Sequence, residues 1–367
     1  MKTFARNVWR SAAGRHLLVA LLGLLVVALV LETASDFRNV QLASLAYLGI
    51  AAGGLTVLTG LNGQISLGHG ALMAIGAYTA ALMLQDADPV LPLLGIVLVS
   101  TVVTLAVGAL IGVAAARLHG PYLAGATLAL AVAVPGIALK FGGTLGGEAG
   151  LRVVMPDIPV WLLDIWFFVT GRDLTPSRYV AYLAWFTLIV TFVLLANLSR
   201  SRVGRRWRAV RDDEVAAELA GIGLGRSRIS AFVVSAAAAG AAGAVMAFSV
   251  RLAAPSGYTL TLSLTLLAAV VLGGLGSLTG ALLGAALLTF LPDVVSDLGR
   301  GAGLSDIQAA QLAPLVYGVV MVVVVLVAPA GLVGSLRSLT ARRSTRRTTH
   351  TSAAPSGAVT TSKGETR

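Results

Sequence analysis

Charged side chains that could bind a partner are concentrated in one internal stretch of this 367-residue chain, residues 199–229, which we call the basic segment. It carries eight arginines and four acidic residues, so its net charge is positive. Side chains of this kind support ionic contacts and docking rather than covalent chemistry. The segment lies between two long apolar runs, and we expect it to be exposed to water.

Apolar residues in the basic segment follow a helical period on both sides of a polar joint at Asp212 and Asp213. The two triplets, each spaced i, i+4, i+7, are Val203, Trp207 and Val210, then Val215, Leu219 and Ile222. This spacing predicts two short amphipathic helices, the second starting at the aspartates. Gly221, Gly223 and Gly225 then allow the backbone to leave the helix. The segment is either a docking surface formed by both apolar stripes or a solvated loop that orients the protein.

Side chains suited to catalytic, metal or nucleotide chemistry are few and scattered. There are no cysteines, and the four histidines, at positions 16, 69, 119 and 350, form no nucleophile–base or metal-binding pattern. No G-x-x-x-x-G-K-[ST] loop is present to cradle ATP phosphates. We therefore expect no catalytic residue, metal or cofactor in this chain, and any ATP-driven work must come from a partner.

The composition is that of a membrane protein, with 57% hydrophobic residues, 12% charged residues and a mean hydropathy of +0.88. Ordinary soluble domains are about 45–50% apolar and about 25% charged. The net charge of +11 does not indicate nucleic acid, because the arginines lie between apolar runs and in the tail. We expect an all-α, polytopic transmembrane helical bundle in the lipid bilayer.

Ten apolar runs could cross a bilayer. They are approximately residues 17–31, 40–60, 65–84, 90–116, 121–139, 179–197, 230–250, 260–275, 278–291 and 312–333. A spanning helix needs about 20 residues, so the shorter runs predict short or broken helices. The chain thus divides into a basic N-terminus (1–16), a transmembrane domain (17–335) and a tail (336–367) whose composition predicts disorder.

Basic residues are unequally distributed between the two sides that ten crossings define. Twenty of the 27, including those of the basic segment, fall on the side of the N-terminus. Because basic residues mark the cytoplasmic side, we expect both termini and the basic segment in the cytoplasm. Most acidic residues fall in the outer loops, to which we also assign Asp293 and Asp297.

The longest outer loop, residues 141–178, contains Trp161, Trp166, Phe167 and Phe168 among prolines and acids. Aromatic residues beside polar ones are typical of the membrane interface, so a short helix is expected there. The loop is either a connector or a landing surface or gate.

Small residues cluster in two of the apolar runs. As candidates for helix breaks or pathway lining we select Gly63, Gly68, His69 and Gly70 in the first run and Gly273, Gly274 and Gly276 in the second. Such glycines either let helices pack closely or interrupt a helix beside a water-filled path. Their comparable places in the two halves of the chain are typical of an inverted repeat. His69 either lines the path or holds a backbone carbonyl as a neutral imidazole.

No Asp, Glu, Lys or Arg lies within the ten apolar runs. Ion-coupled carriers often place such groups in the membrane, so a secondary carrier is the weaker alternative. A tight site for an amino-acid zwitterion would also need charged partners, because desolvating an unpaired charge is costly. We expect a weakly binding, largely apolar passage whose substrate is selected outside this chain.

Five ordered blocks over approximately residues 40–335 resemble the membrane permease subunit of bacterial branched-chain amino-acid ABC importers. They are LNGQISLGHGALMAIGAYTAAL, GPYLAGATLALAV with the following GGEAGL, SRVGRRWRAVRDDEVAAELAGI, SAAAAGAAGAVMA and VVLGGLGSLTGALLGAALL. The resemblance implies an inner-membrane permease that is not itself an enzyme. It also implies a second homologous permease, two cytoplasmic ATPases and an extracytoplasmic binding protein as partners. Related permeases for urea, short amides or sugars share much of the pattern and stay an alternative.

The same resemblance aligns VAAELAG (Val215–Gly221) with the E-A-A-x-x-x-G coupling motif of such permeases. Val215 stands where the motif has Glu, and a glutamate lies one residue earlier. Ala216, Ala217 and Gly221 match the motif, and the residues that we expect in ATPase coupling are Arg211, Glu214, Ala216, Ala217 and Gly221.

Overall fold

A computed structural model describes residues 12–86, 89–118, 121–327 and 331–335. The α-helices are α1 (Ala12–Thr33), α2 (Asp36–Leu55), α3 (His69–Met83), α4 (Leu93–Ala115), α5 (Pro121–Lys140), α6 (Gly142–Leu145), α7 (Val160–Thr170), α8 (Pro176–Arg200), α9 (Arg202–Asp212), α10 (Glu214–Leu219), α11 (Leu224–Val250), α12 (Leu260–Gly273), α13 (Leu278–Gly301) and α14 (Asp306–Val327). A π-helix (Thr56–Leu61) continues α2, and 3₁₀ turns cover Gly147–Ala149 and Pro255–Tyr258. The strands β1 (Leu151–Arg152) and β2 (Leu252–Ala253) form one small sheet. The predicted all-α bundle is confirmed.

Each of the ten apolar runs contains most or all of one helix within the described residues. Among the described residues, seven helices are long and apolar enough to cross a membrane: Asp36–Leu61, Leu93–Ala115, Tyr122–Lys140, Pro176–Arg200, Leu224–Val250, Pro255–Gly273 and Leu278–Gly301. Shorter apolar helices cover Ala20–Thr33, His69–Met83 and Val160–Thr170. The chain is a multi-pass membrane protein with short and broken helices, whereas the number of ten crossings stays a prediction.

Several helices begin where a short polar side chain caps them. The capping residues are Ser35 for α2, Thr175 for α8, Ser201 for α9, Asp213 for α10 and Ser277 for α13. In each, the side-chain oxygen accepts a hydrogen bond from a backbone amide of the first turn, which has no partner within the helix. Local sequence thus sets where these helices start.

The core is centred on α11, which packs against α2, α3 and α4. Its buried face consists mostly of alanine and glycine. A Cβ on Gly243 would overlap the Met73 carbonyl, and a Cβ on Gly76 would overlap the backbone of Gly240. In a membrane, packing rather than exclusion of water brings helices together, so small residues that let backbones touch favour a central position.

Residues 150–153, in the loop 141–178, contact the residues that follow α11 at its end far from the basic segment. β1 in this loop pairs antiparallel with β2, with Leu151 opposite Ala253. The expected short helix is α7, whose Trp166 packs edge-on against Tyr182 of α8 with ring centroids 4.7 Å apart. A role of this loop as a landing surface or gate, and not only as a connector, stays a prediction.

An ion pair at the same end joins α1 to α8. Arg178 Nη1 lies 3.4 Å from Glu32 Oε2, and the two side chains are only 11% and 18% exposed. The Tyr182 hydroxyl donates to Glu32 Oε1 at 3.1 Å. Because a charge shielded from water needs partners, these contacts hold α1 against the bundle.

Asp293 and Asp297 lie within α13, so this part of the predicted outer loop is helical, whereas its position on the outer side stays a prediction. Asp293 Oδ2 accepts a hydrogen bond from Gln41 of α2, and Asp297 pairs with Arg300 at 2.7 Å. The helix thus continues to Gly301, beyond its apolar run. Most of the predicted basic N-terminus (residues 1–11) and the predicted disordered tail (336–367) lie outside the described residues, so the cytoplasmic position of both termini stays a prediction.

Candidate coupling surface and helix breaks

The basic segment contains the two predicted helices, α9 and α10. Ser201 caps α9 by accepting from the amides of Val203 and Gly204. Asp213 caps α10 by accepting from the Ala216 amide at 3.0 Å. The polar joint therefore separates the helices as its residue types predict.

The apolar stripe of α9 faces the bundle. Trp207 and Val210 are 0% and 1% exposed. The Trp207 indole Nε1 donates to Ser230 Oγ of α11 at 2.9 Å. The hypothesis that both stripes form a docking surface is wrong for this stripe, because it attaches the segment to the chain's own core.

The apolar stripe of α10 is exposed. Val215 and Leu219 are 69% and 85% exposed. Ala216 is exposed beside them, whereas Ala217 is 4% exposed and faces the protein. Of these two motif alanines, therefore, only Ala216 is on the free surface. α10 presents a small apolar face to its surroundings.

Gly221 ends α10 with a left-handed turn. Its φ is 80°, and the Ile222 amide donates to the Ala217 carbonyl at 3.0 Å. This closure is the Schellman type, which favours glycine because a Cβ is strained at positive φ. No atom lies within 4 Å of the position that a Cβ would take, so conformation and not space requires the glycine.

Glu214 holds α10 to α11. Its Oε1 accepts from Arg228 Nη2 at 2.7 Å, with the Arg228 side chain 6% exposed and that of Glu214 50% exposed. A buried guanidinium requires such a partner. In this structure the Glu214 carboxylate therefore bonds within the chain.

A basic cavity of about 710 Å³ lies between α9 and the start of α11, next to the end of α10. Its lining includes Arg206, Gly221, Ile222 and Arg226. Both arginines are exposed. The surface beside the apolar face of α10 is therefore positively charged.

The first helix break, residues 63–68, separates the π-helix from α3. Gly63 has a φ of 79°. A Cβ on Gly68 would lie 2.6 Å from the Thr127 carbonyl oxygen of α5, and the Gly70 amide donates to Ser263 Oγ of α12 at 2.9 Å. The helix is thus interrupted inside the bundle, at glycines that conformation or close approach requires.

The second helix break, residues 274–277, separates α12 from α13. Gly274 and Gly276 have φ values of 116° and 80°. Gly273 packs against the backbone of Gly280 across the turn, where a side chain on either residue would overlap. The two helices therefore form a tight hairpin.

The second break contacts the end of the π-helix, just before the first break, at Gly60 and Gly276. A Cβ on Gly60, near the end of the π-helix, would overlap the Gly276 backbone nitrogen. Arg211 Nη1 donates to the Gly60 carbonyl at 2.6 Å. The same nitrogen would lie 3.7 Å from a Cβ on Gly276. Arg211 therefore lies where the basic segment contacts both breaks.

Buried amide side chains bond the first break to the start of α11. Gln64 Nε2 donates to Asn62 Oδ1 and, at 3.1 Å, to the Arg228 carbonyl. Asn62 Nδ2 donates to Ser227 Oγ at 3.4 Å. The sequence reasoning missed these residues, although two amides beside an apolar run were a visible signal that buried hydrogen bonds are needed.

His69 is fully buried at the start of α3, and its Nε2 lies 2.9 Å from the Ala51 carbonyl oxygen of α2. Because a carbonyl only accepts, the Nε2 nitrogen carries the proton and donates it. This is the contact expected for a structural histidine, and a part in the pathway stays a prediction.

Comparison with known proteins identifies the family. Residues 40–325 match the family described as branched-chain amino acid transport system / permease component. The chain is 33% identical over 299 residues to the high-affinity branched-chain amino acid transport system permease protein LivM of Escherichia coli, covering 75% of this chain and 69% of LivM.

Two further relatives are more distant. The chain is 28% identical over 264 residues to the permease protein BraD of Pseudomonas aeruginosa, covering 66% of this chain and 81% of BraD. It is 28% identical over 262 residues to LivH of Escherichia coli, covering 69% of this chain and 82% of LivH. All three relatives carry the same description as high-affinity branched-chain amino acid transport system permease proteins. The family match spans most of the chain, and on this ground the chain belongs to the permease components of branched-chain amino acid transport systems.

Proposed function

We propose that this chain forms part of the translocation pathway of a bacterial ABC importer for branched-chain aliphatic amino acids, in the inner membrane. The observation that carries the proposal is its family membership together with 33% identity to LivM, whose name gives that substrate class. The chain is a transport subunit and not an enzyme, so ATP hydrolysis belongs to partner subunits.

The substrate class is tested by uptake of labelled leucine, isoleucine and valine into cells that lack their own importers and express the complete system with or without this chain. Uptake that depends on the chain and is competed by the other branched-chain amino acids supports the proposal. Competition by urea, a short amide or a sugar, without transport of leucine, would replace it with one of those substrates.

We infer that α10 is the element that docks on an ATPase subunit. Its exposed Val215 and Leu219 form an apolar face of the kind that an amphipathic helix places in a groove. The basic cavity beside it favours an acidic surface on the partner. Ala217 and the Glu214–Arg228 pair hold α10 on the bundle from the inner side. A force on α10 would therefore reach the spans.

The expected partners are a second homologous permease, two cytoplasmic ATPases and an extracytoplasmic binding protein. Escherichia coli has both a LivM and a LivH, each named as a branched-chain amino acid permease protein, and this chain is 33% and 28% identical to them. A LivH-like chain is therefore the expected second permease. Purification of this chain in detergent tests whether these partners are bound to it. If the chain purifies alone and transports in liposomes without ATP, a secondary carrier replaces the importer.

We propose that the two breaks border the pathway, because irregular backbone in a membrane needs water or protein to bond its amides. The chain has no cysteine, so Ser66→Cys and Leu275→Cys each introduce a single thiol next to a break. Both should react with a small aqueous thiol reagent in at least one transport state. Leu98→Cys, on the outside of α4, is the control expected to stay unreactive. No reaction at either break in any state would instead support simple packing.

We also propose that the binding protein, more than this chain, selects the substrate. The ten apolar runs hold no charge pair that would bind both ends of a zwitterion. Calorimetry with the purified permease pair and leucine, without the binding protein, should detect no binding. Micromolar, stereospecific binding would contradict the proposal.

A further inference from the structure

α9 ends directly against the first break, and Arg211 makes the contact. Its Nη1 donates to the Gly60 carbonyl at 2.6 Å, while its Nε and Nη2 donate to Asp212 Oδ1 at 2.9 and 2.7 Å. A Cβ on Gly63 would lie 3.0 Å from Arg211 Cγ, so the stem of the arginine packs on the same turn. One side chain thus joins the end of the π-helix and the Gly63 turn to Asp212, the residue that precedes the α10 cap.

The positive charge of Arg211 strengthens its hydrogen bond to the Gly60 carbonyl. Gly60 lies in the last turn of the π-helix, and the chain leaves helical geometry after Asn62. Carbonyls in a last turn have no amide partner within the helix and carry the negative end of its dipole. A guanidinium is a stronger donor to such a carbonyl than a neutral group.

Arg228 makes a second connection between the same two places. Its guanidinium bonds Glu214 of α10 at 2.7 Å, and its backbone carbonyl accepts from Gln64 in the break at 3.1 Å. The side chain is buried, which limits the positions that it can take. α10 therefore reaches the first break through Arg228 as well as through Asp212 and Arg211.

We propose that Arg211 and Arg228 are positioning residues that carry a displacement of α10 to residues 60–66 and so change the first break during transport. The proposal rests on the docking of α10 to an ATPase subunit. The break is suited to respond, because Gly63 permits a backbone change that other residues resist. The buried Ser66 hydroxyl has no hydrogen-bond partner among the described residues, so it is free to bond in another arrangement.

The test measures the accessibility of the first break with a thiol at position 66. Ser66→Cys replaces the buried hydroxyl by a thiol of similar shape, and it is the only thiol in the chain. The complete importer, with both permeases, ATPases and binding protein, is placed in nanodiscs. The labelling rate of this thiol is measured with and without a non-hydrolysable ATP analogue, in the Ser66→Cys chain alone and with Arg211→Gln, Arg211→Lys or Arg202→Gln added.

Nucleotide should change the labelling rate in the Ser66→Cys chain and with Arg202→Gln, a control at the exposed start of α9. With Arg211→Gln the nucleotide effect should be lost, and leucine uptake should fall roughly tenfold, the size expected for a lost charged hydrogen bond. Arg211→Lys keeps the charge and should restore part of both. A nucleotide effect that persists with Arg211→Gln would overturn the proposal.

The amount of ATPase that stays bound in the same samples shows whether a variant affects the docking of the ATPase or the transmission of its movement to the first break. Arg211→Gln should retain them as the parent does, and their loss would make Arg211 a docking residue and overturn the proposal. Loss of the ATPases from the parent importer would refute the docking of α10 and the transmission with it. If Arg211→Gln fails to fold, Glu214→Gln weakens the Arg228 connection at a half-exposed position and should reduce the nucleotide effect. An unchanged effect in that variant would also refute the proposal.

Discussion

Truncating Leu219 should weaken the binding of an ATPase subunit without weakening the fold. Leu219 lies on the outer face of α10 and is 85% exposed, so it makes few contacts within the chain. Replacing it by alanine removes the apolar surface offered to a partner. The helix itself is kept, because alanine is the best helix former.

The size of the effect follows from the exposure. Burying a leucine side chain gains about 1.5–3 kcal/mol, and alanine keeps only a small part of that. Because 85% of Leu219 is exposed, most of the gain is available at the interface. We expect Leu219→Ala to raise the dissociation constant of the ATPase by roughly tenfold to thirtyfold. Val215 is smaller and less exposed, so Val215→Ala should raise it by only about fivefold.

The dissociation constant is measured by titrating labelled ATPase onto the permease pair in nanodiscs, and thermal unfolding is followed in the same samples. Trp207→Ala is the opposing control, because this residue is fully buried on α9. It should lower the free energy of unfolding by about 3–5 kcal/mol. Unchanged ATPase binding by Leu219→Ala, or destabilisation as large as that of Trp207→Ala, would refute the reasoning.

Three further pairs of substitutions test contacts described above. Gly60→Ala should abolish uptake, because its methyl overlaps the Gly276 backbone, whereas Gly136→Ala, with no atom within 4 Å, should retain uptake. Arg178→Met leaves the Glu32 carboxylate shielded from water and should lower stability by about 3 kcal/mol in thermal or chemical unfolding. Arg300 is exposed, so Arg300→Met should lower the free energy of unfolding by less than about 1 kcal/mol. Equal losses in the two variants would contradict the structural role of the Arg178–Glu32 pair. His69→Leu removes the hydrogen bond from Nε2 to the Ala51 carbonyl and should lower the free energy of unfolding by about 0.5–1.5 kcal/mol, whereas His69→Gln should keep much of the stability and uptake. Equal loss of uptake in both variants would indicate a pathway role.

Features that depend on neighbouring residues could be predicted from the sequence. The apolar runs locate the helices, and Asp213 and Gly221 mark the start and end of α10 through capping chemistry that needs no tertiary contact. The glycines of the two breaks are likewise visible, because positive φ is a local requirement at Gly63 and Gly276.

Features that depend on distant residues could not be predicted. The stripes of α9 and α10 have the same spacing, yet Trp207 is buried by α11 and Leu219 is exposed. Periodicity shows that a helix has an apolar face but not which protein covers it. Similarly, the amides Asn62 and Gln64 indicate that partners are needed, but only the fold shows that residues 227 and 228 supply them.

The polar contacts at the first break set a condition on how it can move. Gln64 and the Arg228 carbonyl are bonded to each other in a buried site, as are Asn62 and Ser227. A displacement of the break relative to α11 separates these pairs, and each polar group left unpaired costs about 1–3 kcal/mol. Water entering the break can supply the missing bonds at little cost. Movement of the first break is therefore coupled to the entry of water. A nucleotide-driven displacement of α10 that moves the break would also hydrate this part of the bundle.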